Sequence, residues 1–299
     1  MKQKAALSVI LSGILWGVTS IFIRALSAGG LDAMQITSVR MIVAASVFTV
    51  VILITDPEKL KIRLKDIWMF VGTGIISVVL FNCLYFFTII KSQASVAVVL
   101  LYTSPVFIMI MSELLFKERI TPRKINALVL TFSGCVLVAG FLGGEYSITP
   151  LILLTGLGSG FFYAMYTVFG RFALKKYDTV TVTVYTFIFG LAGSLPIGKI
   201  KSTAEALKAE PQLIFWCLCV GIISTVLPYF FYTWGLQRME AGKAAILVAV
   251  EPLVGAIVGM TLFRESHGIL KLIGIALILS AIFIMNFHSE RAEENNLKK

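Results

Sequence analysis

Two charged residues lie deep inside apolar runs, and they are the residues with most capacity for chemistry. Arg40 stands about 10 Å in from one end of the run 33–54, and Glu251 about 12 Å in from one end of the run 243–263, at 1.5 Å per helical residue. An ionised side chain at that depth costs about 2.5–3.5 kcal/mol on insertion scales, so it faces a cavity or a partner. Either the pair neutralises itself, or the two bind the ends of a polar solute. The planar guanidinium of Arg40 suits a carboxylate. Glu251 suits an ammonium group or exchange of a proton, and together they suit a zwitterion. Pro105 and Pro252 fall near the middle of their runs, where each removes a backbone donor and frees the carbonyl four residues earlier, that of Leu101 or Val248. They read as packing kinks or as hinges. Trp16, Asn82, Tyr102, Tyr163 and Tyr229 fall at similar depth, as core packing or as the polar points of a mostly apolar site.

The elements holding these residues follow from composition. The chain has 299 residues, 58% hydrophobic and only 14% charged, against about 25% charged in soluble domains. About 20 apolar residues cross a hydrocarbon core. On that basis spans are expected near 5–26, 33–54, 67–90, 95–115, 122–141, 150–170, 180–198, 212–234, 243–263 and 267–287. The first lacks an Ala-x-Ala-like cleavage site and reads as a retained span. The net charge of +10 is a topology signal. With the N-terminus in the cytoplasm, eighteen of the 26 Lys and Arg residues fall in cytoplasmic segments and six on the other side, while Arg40 and Lys271 lie within spans. That positive-inside bias puts both termini in the cytoplasm, with no nucleic-acid partner implied.

A repeat divides the chain. At a constant offset of 147 residues, Gly74-Ile75-Ile76-Ser77 recurs as Gly221-Ile222-Ile223-Ser224, and Tyr85, Pro105, Phe116 and Glu118 recur as Tyr232, Pro252, Phe263 and Glu265. Ser12-Gly13 and Arg24 likewise match Ser159-Gly160 and Arg171. The expected units are residues 1–147 and 148–288, followed by a charged cytoplasmic tail, 289–299. Five spans is an odd number, so the second copy enters from the opposite side. The expected fold is an all-α membrane protein of ten transmembrane helices in two inverted five-helix repeats, an arrangement suited to alternating access.

These features resemble the drug/metabolite transporter superfamily in its EamA-like branch. The resemblance covers residues 5–287 and rests on the ten spans, the paired prolines, and the endings Leu115-Phe116-Lys117-Glu118 and Leu262-Phe263-Arg264-Glu265. It also rests on Val250-Glu251-Pro252-Leu253, with Ser104-Pro105 in place of the acidic pair in the first half. The resemblance implies a central cavity lined by spans one to four and six to nine, with spans five and ten peripheral. It implies export or import of small organic metabolites, amino acids among them; efflux is the expected direction here, and protons exchanged at Glu251 are the candidate coupling ion.

Other classes lack their chemistry. Cys83, Cys135, Cys217 and Cys219 all fall within spans and read as small apolar filler. His267 and His288 are too distant for a metal site, and no cofactor is expected. Gly156-Leu157-Gly158-Ser159-Gly160 follows no strand, so it reads as a helix-packing surface rather than a phosphate loop. No Gly-x4-Gly-Lys-Ser/Thr segment supports ATP-driven transport. An intramembrane lipid-modifying enzyme would need a catalytic constellation that these residues do not supply, so no enzyme is expected. A channel or scaffold is the other rival, and counterflow separates a carrier from a channel. We expect a reporter active only outside the cytoplasm to stay silent when fused to the C-terminus. Activity there would reverse the assigned topology.

Overall fold

The structure, a computed structural model, describes residues 2–92, 94–142, 148–264 and 268–297, so Glu145, Glu265 and His267 lie outside the described residues. Every described element is helical. Seven helices are long and apolar enough to cross a membrane: α1 Gln3–Ala28, α2 Ala33–Thr55, α3 Leu64–Lys91, α4 Ala94–Phe116, α6 Pro150–Leu174, α8 Gln212–Leu236 and α9 Ala241–Leu262. Of the three other expected spans, α5 Pro122–Val138 and α7 Thr179–Ser194 are shorter, and α10 is apolar over Ile269–Met285. At 17 residues α5 covers about 25 Å, short of the roughly 30 Å core. Local sequence sets these limits. Pro122 follows the Thr121 cap of α5, and Pro196 stands just past α7. A connecting helix, Ile200–Ala209, follows α7, and the backbone of the last helix continues helically to Leu297.

Packing obeys the repeat. α1 lies against α8 and α9, and its counterpart α6 lies against α3 and α4, so the first helix of each half is held by the third and fourth helices of the other. α2 packs on its own counterpart α7, while α5 and α10 pack on each other. The recurring Gly-Ile-Ile-Ser segment explains one pair of contacts. A Cβ on Gly74 would lie 2.4 Å from the Thr186 carbonyl of α7, and one on Gly221 would lie 2.4 Å from Val43 of α2. The first segment falls in a π-helical turn, Gly72–Val79, and Gly221 directly precedes another, Ile222–Val226, the wound-out geometry that recurs at functional sites.

Two aspartates start the second helix of each half. Asp32 caps α2, accepts from the amides of Met34 and Gln35, and pairs with Lys199 at 2.8 Å. Asp178 caps α7, accepts from the Thr181 amide at 2.9 Å, and pairs with Lys59 at 3.0 Å. Each lysine comes from the other half of the chain. Burial pushes the Asp178 carboxyl up, but the Thr181 amide and the Lys59 ammonium more than reverse this and hold it below its ordinary value. A depressed folded-state pKa stabilises above the unfolded value, and that contribution disappears as pH falls through the folded one. We therefore expect Asp178→Ala to cost about 1 kcal/mol near neutral pH. The thermal-midpoint gap from the parent should narrow below about pH 4. A gap that widens on acidification would remove this role.

Candidate functional site: a cavity at two broken helices

α4 and α9 are each interrupted at mid-length. α4 is helical over Ala94–Leu101 and Ser104–Phe116, and α9 over Ala241–Leu247 and Val250–Leu262. Pro105 and Pro252 stand in the first turns of the resumed segments, where proline's missing donor costs least. The carbonyls of Leu101 and Val248, freed by the prolines, both abut glycines, and Leu101 also lines the cavity described below. A Cβ on Gly160 of α6 would lie 3.1 Å from the Leu101 oxygen, and one on Gly13 of α1 would lie 2.6 Å from the Val248 oxygen. The Val248 carbonyl also accepts from the Glu251 amide at 3.0 Å. Glycine permits this approach because it lacks a side chain.

Trp16, Arg40, Asn82, Tyr102, Tyr163, Tyr229, Glu251 and Pro252 all line one cavity of about 360 Å³, and Pro105 lies outside its lining. Glu251 occupies the first turn of the resumed part of α9, where helix amides favour a negative charge. The Tyr102 hydroxyl, in the α4 break, stands beside it. Arg40 Nε donates to Thr225 Oγ1 at 2.9 Å, and Nη2 donates to the Ser224 carbonyl at 3.4 Å. Thr225 Oγ1 in turn donates to the Val220 carbonyl five residues back, at 2.9 Å. The π-helical turn of α8 thus aims Arg40. Among the described residues no ion pair joins Arg40 to Glu251, so the two charges share a cavity without closing on each other.

The walls are aromatic. Trp16 meets Tyr229 edge to face at 5.1 Å and Tyr232 at 5.6 Å. Tyr163, its counterpart in the other half, meets Phe81 at 5.2 Å. Asn82 donates to the Val78 carbonyl at 2.6 Å, which engages its amide nitrogen within its own helix. Sequence reasoning missed Ser20, Phe81 and Phe86 as lining residues and used Arg24 and Tyr85 only as repeat markers. Phe81 was findable as the neighbour of Asn82. Arg24 lies too near a span end to draw notice, yet its guanidinium stands 3.8 Å from the Phe263 ring at the cavity's exposed edge.

A multi-pass helical membrane protein built around a solute-sized, aromatic-walled cavity is the class these features define. Residues 3–140 and 150–287 each match the model of the EamA-like transporter family, and the chain belongs to that family as a membrane transporter. Two proteins of Archaeoglobus fulgidus described as uncharacterized transporters are similar to it. One is 25% identical, covering 95% of this chain and 99% of its own length. The other is 28% identical, covering 93% and 94%. The uncharacterized inner membrane transporter YicL of Salmonella typhimurium is 25% identical, covering 97% of both chains. A solved crystal structure superposes with a TM-score of 0.79 at 16% identity, covering 98% of this chain and 100% of the other, which shows a shared fold.

The glycine contacts at the α9 break give a direct test. We expect Gly13→Ala to lower the thermal midpoint by the equivalent of about 1–3 kcal/mol, because its Cβ overlaps a backbone carbonyl that cannot rotate away. Gly255→Ala, whose Cβ would meet its nearest neighbour at 3.7 Å, should be nearly neutral. Equal effects would show that close approach at the break does not matter.

Proposed function

We propose that this transporter is a secondary carrier of small zwitterionic metabolites, of the amino-acid class, working by alternating access between two inverted five-helix halves. The observation that carries the reading is the pair of unpaired opposite charges, Arg40 and Glu251, on one aromatic-walled cavity. Arg40 takes the solute carboxylate, Glu251 takes the ammonium, and Trp16, Tyr163 and Tyr229 pack on the side chain. A cavity of about 360 Å³ sits at the small end of the ligand-site range of about 300–1,000 Å³. The excess of basic residues on the face holding the N-terminus supports a cytoplasmic assignment for that face and for both termini, in a cell membrane. On that assignment the cavity, whose edge reaches Arg24 and Phe263, opens outward. The two breaks at Pro105 and Pro252 serve as hinges, because a helix already interrupted bends with little further loss of backbone hydrogen bonds. Glu251 is the cavity carboxylate able to exchange a proton in coupling.

Purified protein screened against standard amino acids should show a rise in thermal midpoint for its substrates, about 2.7 kcal/mol of stabilisation at one hundred times Kd. Glu251→Gln keeps size and hydrogen bonding but removes charge and titration. It should insert and fold, lose most net transport in proteoliposomes, and lose the pH dependence of what remains. Normal transport by Glu251→Gln and Arg40→Gln alike, across the pH range, would rule out both residues as the solute site. Singles that fail and a double substitution that recovers would reduce the pair to a structural one.

A further inference from the structure

The cavity occupies one end of the helix bundle, and at the other end, beside the ion pairs of Asp178 with Lys59 and Asp66 with Lys176, Glu118 gathers groups from several elements. Glu118, just past α4, is 8% exposed. Its Oε1 accepts from Arg171 Nη2 at 2.5 Å and from the Ala241 amide at 3.0 Å, and Oε2 accepts from the Gly242 amide at 3.3 Å. Arg171, near the end of α6, also donates to the carbonyls of Leu236 and Met239, at 3.1 and 2.8 Å. One residue of the first half is therefore tied to the end of α6, the α8–α9 turn and the start of α9, all in the second half. Between this cluster and the cavity lies a hydrogen-bonded floor, with Tyr166 to Thr233 at 2.6 Å and Thr167 to Tyr232 at 2.8 Å. The arginines correspond through the repeat. Arg24, counterpart of Arg171, stands over Phe263 at the cavity's exposed edge, as Arg171 stands 5.6 Å from Phe116, the counterpart of Phe263.

We infer that the Glu118–Arg171 ion pair is a latch that holds the transporter shut on the face opposite the cavity mouth, and that opening toward that face requires releasing the pair from the α8–α9 turn. The inference rests on the alternating-access reading above. α4 packs on α6, so Glu118 and Arg171 move together, and opening at this face parts them from the Ala241 and Gly242 amides and the Leu236 and Met239 carbonyls of the α8–α9 turn. A buried carboxylate stripped of its partners is costly, so the latch favours the state seen here, and its loss favours the opposite one. Glu118 is a positioning residue: it touches no part of the cavity.

The test uses two reporters in a chain whose four cysteines are replaced by alanine. Thr233→Cys sits in the floor beneath the cavity, and Ser20→Cys lines the cavity. Glu118→Gln should raise maleimide labelling at Thr233→Cys about tenfold, the population change that roughly 1.4 kcal/mol produces, and lower it at Ser20→Cys. Arg171→Gln, which removes the same ion pair from its other side, should move both rates in the same senses and serves where Glu118→Gln fails to insert. Unchanged rates, or rates that rise together as in general loosening, would overturn the latch. A mixture of standard L-amino acids separates the two readings in protein that retains Glu118. Opposite shifts at the two reporters with an inert Glu118→Gln would discard the latch and keep the carrier. Rates at both reporters that never move in opposite senses would discard the carrier and the latch with it.

Discussion

Within a hydrocarbon layer every backbone N–H and C=O must find a partner inside the protein, and the rest of this structure follows from that demand. Unbroken helices meet it without help. This chain interrupts α4 and α9 at mid-length and unwinds α3 and α8 into π-helical turns, so it must satisfy those places by other means. The means are short local bonds, such as that from the Glu251 amide to the Val248 carbonyl, and helices brought close enough to exclude lipid. Gly13 and Gly160 supply the closeness at the breaks, and Gly74 and Gly221 at the π-helical turns. Irregular backbone is thus confined to places where another helix covers it or a cavity receives it.

The same irregularities position the polar chemistry. The π-helical turn of α8 presents Thr225 and the Ser224 carbonyl to Arg40, which holds a guanidinium beside the cavity. The break in α9 creates a fresh helix start at mid-depth, where Glu251 is favoured by the amides of that first turn. Two buried charges that closed on each other would stabilise a pair and leave nothing for a solute. Here each is held separately by backbone irregularity in its own or a neighbouring helix, which keeps both directed to one space.

The family domain occurs twice in the chain, while the residues at the two ends of the bundle differ. The helices of each half pack mainly against those of the other, so motion of one half changes the surroundings of every lining residue. At one end the aromatic floor and the Glu118 cluster join the halves through charged and neutral hydrogen bonds. At the other, the cavity reaches an exposed arginine stacked on an aromatic ring.

Much was legible in the sequence, because the bilayer writes its demands in composition. Apolar runs and the 147-residue offset each report a constraint that acts along the chain, and the helices and the doubled family domain agree with them. Arg40 and Glu251 stood out for the same reason, since charge within apolar sequence is costly wherever it lies. Length was less legible: α5 and α7 are shorter than the apolar runs around them because proline and capping residues act locally within apolar sequence. The partnerships were not legible at all. That Arg40 would rest on Thr225, 185 residues away, that the carbonyls freed by proline would meet glycines, and that Glu118 would clasp Arg171 depend on how helices from different halves face one another. Hydrophobic patterning specifies that a helix crosses a membrane, and only packing between helices decides which of its sides meets which neighbour.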